Sequence, residues 1–340
     1  MLPCQRAYAL SMMNSRPPEI YPLSRRASQL IQTANDLPAS STKISPIGWS
    51  NRLGSVLTPA SIPGVFTADR PFYWNRIDVG CRMTVIVCSS ETNSSPPQLF
   101  IHSPVSLDDK LLQAIEALGE VKWVVSPNYE HIKYAREWSE RFPKAIMIAC
   151  PGLMEREPDV YKVEIPFGIR PGDNAPGLWD MNEIQALHVD CETNPFTGVA
   201  FFNEVVFYHT PSKTLLVTDT YWNYPGSVIT NENYSSLPGG SASPLKKEND
   251  GEERDFGVWL LAPEIEEIPF GTKAWKFGMD KIYRPFYLNL MIKDDQRTIF
   301  SDIVKQIVDK WGVETLIPAH GDIVRGVSLV RGILKDHFAA

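Results

Sequence analysis

No CxxC pair occurs in this chain, and none of its five cysteines, Cys4, Cys81, Cys88, Cys150 and Cys191, has a near neighbour of its own kind. An odd number without close pairing argues against a cysteine zinc ribbon and a disulfide framework, and for reduced, mostly buried thiols. No apolar run reaches the ~20 residues that a membrane-spanning helix needs. Cations are not in excess either: 33 Lys and Arg against 40 Asp and Glu give a formal net charge of −7. That balance speaks against nucleic acid as a partner, because phosphates are neutralised by clustered Lys and Arg. There is no internal repeat. What is present is 340 residues, 43% of them hydrophobic, enough for one large domain or two small ones around a sizeable core.

Residues 1–51 differ from the rest. The first fifty hold five basic residues, two acids (Glu19 and Asp36) and eight serines, with scattered proline and no persistent helix or strand period. They read as a disordered tail or as a cleaved transit peptide, which is rich in Arg and Ser and poor in acids. The sequence does not fix the compartment: the two readings correspond to the cytoplasm and, with a transit peptide, to an organelle. From 52 to 340 the chain reads as one globular domain. The runs 82–90 and 98–102 are strand-like and flank a turn, which predicts a hairpin. Residues 106–119 predict a helix capped by Ser106 with Asp109 and stopped by Gly119. Strands follow at 121–125 and 144–150, with a helix over 128–142 between them. This βαβαβ rhythm indicates an α/β layered fold. Three strand signals near 184, 205 and 214 predict an antiparallel meander. Residues 221–290 read as an insertion whose stretch 235–257 has mobile-loop composition. An amphipathic helix at about 294–312, a strand ending at His320 and a final helix complete the chain.

Three apolar strands deliver an ionisable group at their C-terminal ends: WVVSPNYEH with Glu130 and His131, TLLVTDT with Asp219, and TLIPAHGD with His320. Strand ends in layered α/β proteins converge on one edge, where binding sites form. Imidazoles and carboxylates meeting there are ligand types for zinc or iron. Each piece also has a plainer reading. Asn128 suits the N-cap of its helix, with Glu130 in the first turn. Asp219 suits a turn cap, and the His320–Gly321 pair suits a tight exit from a strand.

Together the pieces resemble the metallo-β-lactamase fold, whose first motif is H-x-H-x-D-H and whose later strands end in Asp and in P-x-H-G. SPNYEH, LLVTD and IPAHGD stand in those places. Segments such as RPFYW, IHSPVSLDDKLLQAIEALG and EVVFYHTPSKTLLVTD are similar to a branch of that superfamily catalogued as a domain of unknown function. The resemblance implies an αββα sandwich from about residue 52 onward. It also implies a damaged site. Ser126 and Asn128 replace the first two histidines, and no histidine stands near Ala200, ahead of the meander strand, where a third is expected. One set of ligands remains: Glu130, His131, Asp219 and His320. These would hold a single divalent ion, zinc or iron, with manganese behind them, and water at an open position would serve hydrolysis of an unidentified small molecule.

The alternative is a protein without metal, a binding or scaffold protein in which the same four side chains pair with one another. His102, Ser103, Ser126, Asn128, Glu204 and Trp222 are further expected around the pocket. A Ser-His-Asp hydrolase built on Ser103 lacks the G-x-S-x-G elbow. His209 is expected to be structural, bonded to Ser212. The aromatic residues of 221–290 read as the core of a cap over the site.

Overall fold

The β-branched run Cys81–Cys88 forms an eight-residue strand buried over nearly its whole length, and the architecture is built outward from it. The computed structural model describes residues 50–51, 56–88, 96–173, 175, 178–224 and 268–339. The predicted tail before residue 50 and the stretch 235–257 lie outside them. Ser50 and Asn51 do not behave as a tail: both are buried, and Asn51 bonds to the carbonyl of Ala319 and the amide of Gly321.

The first sheet contains β1 (Thr58–Ile62) and β2 (Val65–Arg70). A separate hairpin, β3 (Tyr73–Trp74) with β4 (Ile77–Asp78), leads from them into β5 (Cys81–Cys88). β6 (Gln98–His102), β7 (Glu120–Ser126), β8 (Ile146–Ala149) and β9 (Val163–Glu164) complete it in the order β1-β2-β5-β6-β7-β8-β9. Pairing is antiparallel as far as β6, which includes the predicted hairpin. It is parallel from β6 to β9. Parallel neighbours need crossovers, supplied by α1 (Asp109–Leu118), by α2 (Ala135–Arg141) and, from β8 to β9, by a connection with one short helical turn, Leu153–Arg156. The second sheet runs β10 (Ile184–His188), β11 (Val205–His209), β12 (Thr214–Val217), β13 (Thr315–Pro318) and β14 (Val324–Arg325). Its first three strands are the expected meander.

The two sheets meet through apolar faces. Phe100 of β6 touches Phe207 of β11, with ring centroids 5.6 Å apart, and Trp179 closes against both. On the outer face of the first sheet, Leu111 and Ile115 of α1 and Trp138 of α2 join its core. On the outer face of the second, α4 (Arg297–Lys305) and α5 (Val327–Phe338) bury Phe300, Ile303 and Leu334 against Tyr208 and Leu215. The layer order is helix, sheet, sheet, helix: the expected αββα sandwich. In chain order α3 (Phe270–Gly278) comes between β12 and α4 and continues to Met291 through two wide π turns. Pro285 sits between those turns, where its missing N–H and its ring disturb the α ladder.

Two local expectations change. The cap of α1 is Asp108, whose carboxylate accepts from the amides of Lys110 and Leu111, not Ser106. The helix expected over 128–142 is regular only from Ala135, because Asn128 opens it with a side-chain turn rather than a helical one.

One buried ion pair joins the layers. Arg82 of β5 binds Asp69 of β2 at 2.8 Å, both fully buried. Its remaining donors reach the carbonyls of Pro318 and Gly321 at 2.8 and 2.6 Å. The first sheet thereby grips the end of β13, where His320 follows.

Candidate metal centre

Three chain segments meet at one rim of the sandwich. The first leaves β7 through Pro127. Asn128, fully buried, accepts with Oδ1 from the amides of Glu130 and His131 at 3.0 and 2.9 Å. This is the bonding of an N-cap, and it fixes the backbone beneath His131.

The second segment follows β12. Residues 218–220 wrap around the carboxylate of Glu204, which accepts from the amides of Thr218, Asp219 and Thr220 at 2.6, 2.8 and 2.7 Å. Burial and the neighbouring Asp219 raise the Glu204 pKa, and the amides pull it back. Glu204 was expected to line the pocket. It lies beneath it instead and holds the backbone that presents Asp219.

The third segment is the turn after β13. Gly321 has φ +89°, and a Cβ there would stand 2.0 Å from the Asn223 carbonyl oxygen, so only glycine fits. The Asn223 amide donates to the His320 carbonyl, and Asn51 clasps the turn from the other side.

His131 Nε2 lies 3.2 Å from His320 Nε2. The two carboxylate oxygens of Asp219 take one imidazole each, His131 Nε2 at 3.3 Å and His320 Nε2 at 3.4 Å. Ligand atoms about 2 Å from one tetrahedral ion stand roughly 3.3 Å apart, so the three groups already have the spacing of a shared ion. Their outward nitrogens are occupied as metal-bound imidazoles require. His320 Nδ1 donates to the Gly80 carbonyl at 2.8 Å, which leaves its lone pair on Nε2. His131 Nδ1 pairs with Ser103 Oγ at 2.7 Å. The donor set thus fits a borderline divalent ion such as zinc or iron.

The charges agree with close coupling. Burial alone would lower the His131 pKa, but Asp219, helped by the Cys81 thiol, lifts it to about 10. Burial alone would raise the Asp219 pKa, yet His131 and His320 hold it well below the usual carboxylate range.

Of the four expected ligands, three converge: His131, Asp219 and His320 offer atoms all within 4.8 Å of one another. Glu130 is exposed beside them, and its pKa is raised by partial burial and then by Asp219. The positions of the missing histidines hold neutral groups. Ser126 Oγ accepts from the Tyr161 hydroxyl, and Asn128 Nδ2 donates to Asp219 Oδ2 at 2.6 Å. Near Ala200 the chain folds around Glu192, which accepts from the amides of Phe201, Phe202 and Asn203.

Ser103, His131 and Asp219 do form a hydrogen-bonded series, but Ser103 is fully buried at φ +55° and has no room to attack a substrate. His102 is buried against Phe207, its pKa pushed down to about 3 by burial and then by His131. Trp222 donates to Asp280 and packs on His337, inside the cap. His209 pairs with Ser212 at 2.6 Å, as expected. The contributions of Gly80, Arg82 and Asn51 carry no local sequence signal, because each acts on a turn more than two hundred residues away.

The profile of one family, described as a domain of unknown function (DUF4336), matches residues 64–254. No curated protein matches the chain. Among solved structures, the DIM-1 metallo-beta-lactamase exposed to ceftazidime is similar at 12% identity and TM-score 0.44, over 83% of this chain and 97% of that one. The Flv1 flavodiiron core from Synechocystis sp. is similar at 10% identity and TM-score 0.47, over 84% of this chain and 61% of that one. Rubredoxin oxygen:oxidoreductase from Desulfovibrio gigas gives 12% identity and TM-score 0.44, over 83% and 60%.

Proposed function

This chain belongs to the DUF4336 family, and for it we propose a hydrolase-like protein that uses one divalent metal ion. The observation that carries the proposal is the spacing of His131 Nε2, His320 Nε2 and the Asp219 oxygens at 3.2–3.4 Å, with both outward ring nitrogens engaged. His131, Asp219 and His320 hold the ion, and Glu130 at the exposed side is the carboxylate that would complete the four. A bound divalent ion supplies Lewis acidity and activates water for hydrolysis. The protein's part is positional. Ser103 and the Gly80 carbonyl orient the two rings, and Glu204 fixes the Asp219 backbone. Asn128 donates to Asp219 Oδ2 and so offers the site an amide donor and not a lone pair, which favours one ion over two.

A second reading has its own support. With His131 raised to about 10, His131 pairs with one oxygen of Asp219 while His320 faces the other, so the three groups satisfy one another without metal, as a binding or scaffold protein would require. Reconstitution with zinc, iron or manganese followed by elemental analysis separates the two. The metal reading expects one ion per chain, lost in His320→Ala. Less than one ion in the wild type, together with lower stability in His320→Ala, establishes the ion-pair reading instead.

A further inference from the structure

The helix that begins at Phe270 has two unlike faces. Its inner side packs Trp275 near Tyr224 and Tyr283 near Trp222. Its outer side leaves Phe270, Phe277 and Ile282 in solvent at 85%, 61% and 65% exposure. Single exposed apolar residues are ordinary, but three large ones on one short helix mark an interaction surface. Lys273, Ala274 and Lys281 are exposed among them. The one acid between Phe270 and Ile282, Asp280, is half-buried and held by Lys276 and the Trp222 indole.

The β3–β4 hairpin continues this surface. Tyr73 and Trp74 are 64% and 54% exposed, and Trp74 packs on Trp275 with ring centroids 5.1 Å apart. Both residues of its turn have positive φ, 45° at Asn75 and 68° at Arg76. The second place in such a turn usually goes to glycine. Here the sequence keeps an exposed cation there.

We infer that this face docks on an anionic lipid surface. The choice of partner rests on charge. The chain carries −7 overall, yet among the described residues of this face the exposed charged side chains are all cations, Arg76, Lys273 and Lys281, beside the five large side chains and the neutral Asn75. Aromatic and aliphatic residues interleaved with cations on a helix are the composition of segments that lie in the headgroup region of a membrane. A two-fold contact with a second copy would set the same cations against themselves, which opposes that occupant. The docking reading stands apart from the metal centre and does not depend on it.

The test is co-sedimentation of the full chain with vesicles of phosphatidylcholine alone and of phosphatidylcholine with roughly one-third phosphatidylserine. Binding to the anionic vesicles is expected to exceed that to the neutral ones at least tenfold and to fall with added salt. The variant Phe277→Ser/Ile282→Ser and the variant Lys273→Glu/Lys281→Glu are each expected to lose about tenfold. All four side chains are exposed, so melting temperature and metal content stay at wild-type values. Phe167→Ser, which changes an exposed residue of the β9–β10 connection, is expected to bind as wild type. Equal binding to both vesicle types, binding to neither, or wild-type binding by both double variants overturns the inference. So does a concentration-dependent dimer abolished by the same variants without vesicle binding, which assigns the face to a second copy.

Discussion

Glu204→Gln isolates the carboxylate beneath Asp219. In the wild type one oxygen accepts from Thr218 N and the other from Asp219 N and Thr220 N, at 2.6–2.8 Å, with the residue 1% exposed. Glutamine is isosteric but keeps one acceptor oxygen. If that oxygen serves Asp219 and Thr220, two charge-assisted bonds become neutral ones, at about 1 kcal/mol each. The new NH2 then faces the Thr218 N–H donor to donor, which costs a further ~1–3 kcal/mol. Removing a buried charge that sits near Asp219 returns about 1 kcal/mol. The net expectation is a loss of about 3 kcal/mol, which for a chain of this size lowers Tm by roughly 6 °C. Metal affinity should fall ~10- to 100-fold, the range for groups that support a ligand rather than bind the ion. Calorimetry and a metal-competition titration on the same preparation read both. A Tm within about a degree of wild type, with unchanged affinity, would refute the assignment of Glu204 as the anchor of this strand end.

Asp219→Asn should abolish metal retention as fully as His320→Ala does, while Glu130→Gln should weaken it without abolishing it; elemental analysis of the purified variants checks the ranking. Arg82→Met removes the guanidinium that the buried Asp69 carboxylate pairs with and should destabilise the protein by about 3–5 kcal/mol, measured by urea denaturation; a loss below about 1 kcal/mol would show that the pair contributes little. In metal-free protein the buried histidines set opposite pH limits. His131, raised to about 10 by Asp219 against its burial, contributes fully below 6.5 and loses that contribution as pH rises towards about 10. His102 and His337, lowered by burial to about 3 and about 4, contribute fully above 6.5 and lose it as pH falls towards those values. From these groups, urea midpoints should peak near pH 6.5, and metal loading should flatten the alkaline side, because a metal-bound His131 has no proton left to lose.

Much of the sandwich was legible because burial on both faces writes itself as continuous apolar runs. Strands β5 to β8 and the meander fall where such runs lie. Strands β1 to β4 were not legible. Pro59 lies within β1 and weakens its strand signal, β2 ends in the buried Asp69 and Arg70, and β3 and β4 are two residues each. Buried charge defeats a reading based on hydropathy, and here it is the charge that ties the sheets together. At the site, His131, Asp219 and His320 were readable because each directly ends or follows an apolar run. Glu204 lies deeper than the pocket position expected for it, because nearness to a strand in the sequence does not fix depth. The Gly80 carbonyl was invisible in principle, since any residue has one and only the fold decides where it points.

Arg82 bridges residues 236 and 239 positions downstream in the chain. During synthesis the early strands therefore wait, with a guanidinium only half satisfied, until the segment around Pro318 leaves the ribosome. The imidazole of His320 arrives with that same segment. Completion of the core and completion of the His131–Asp219–His320 cluster are thus a single late event, and a nascent chain stopped short of it can hold neither.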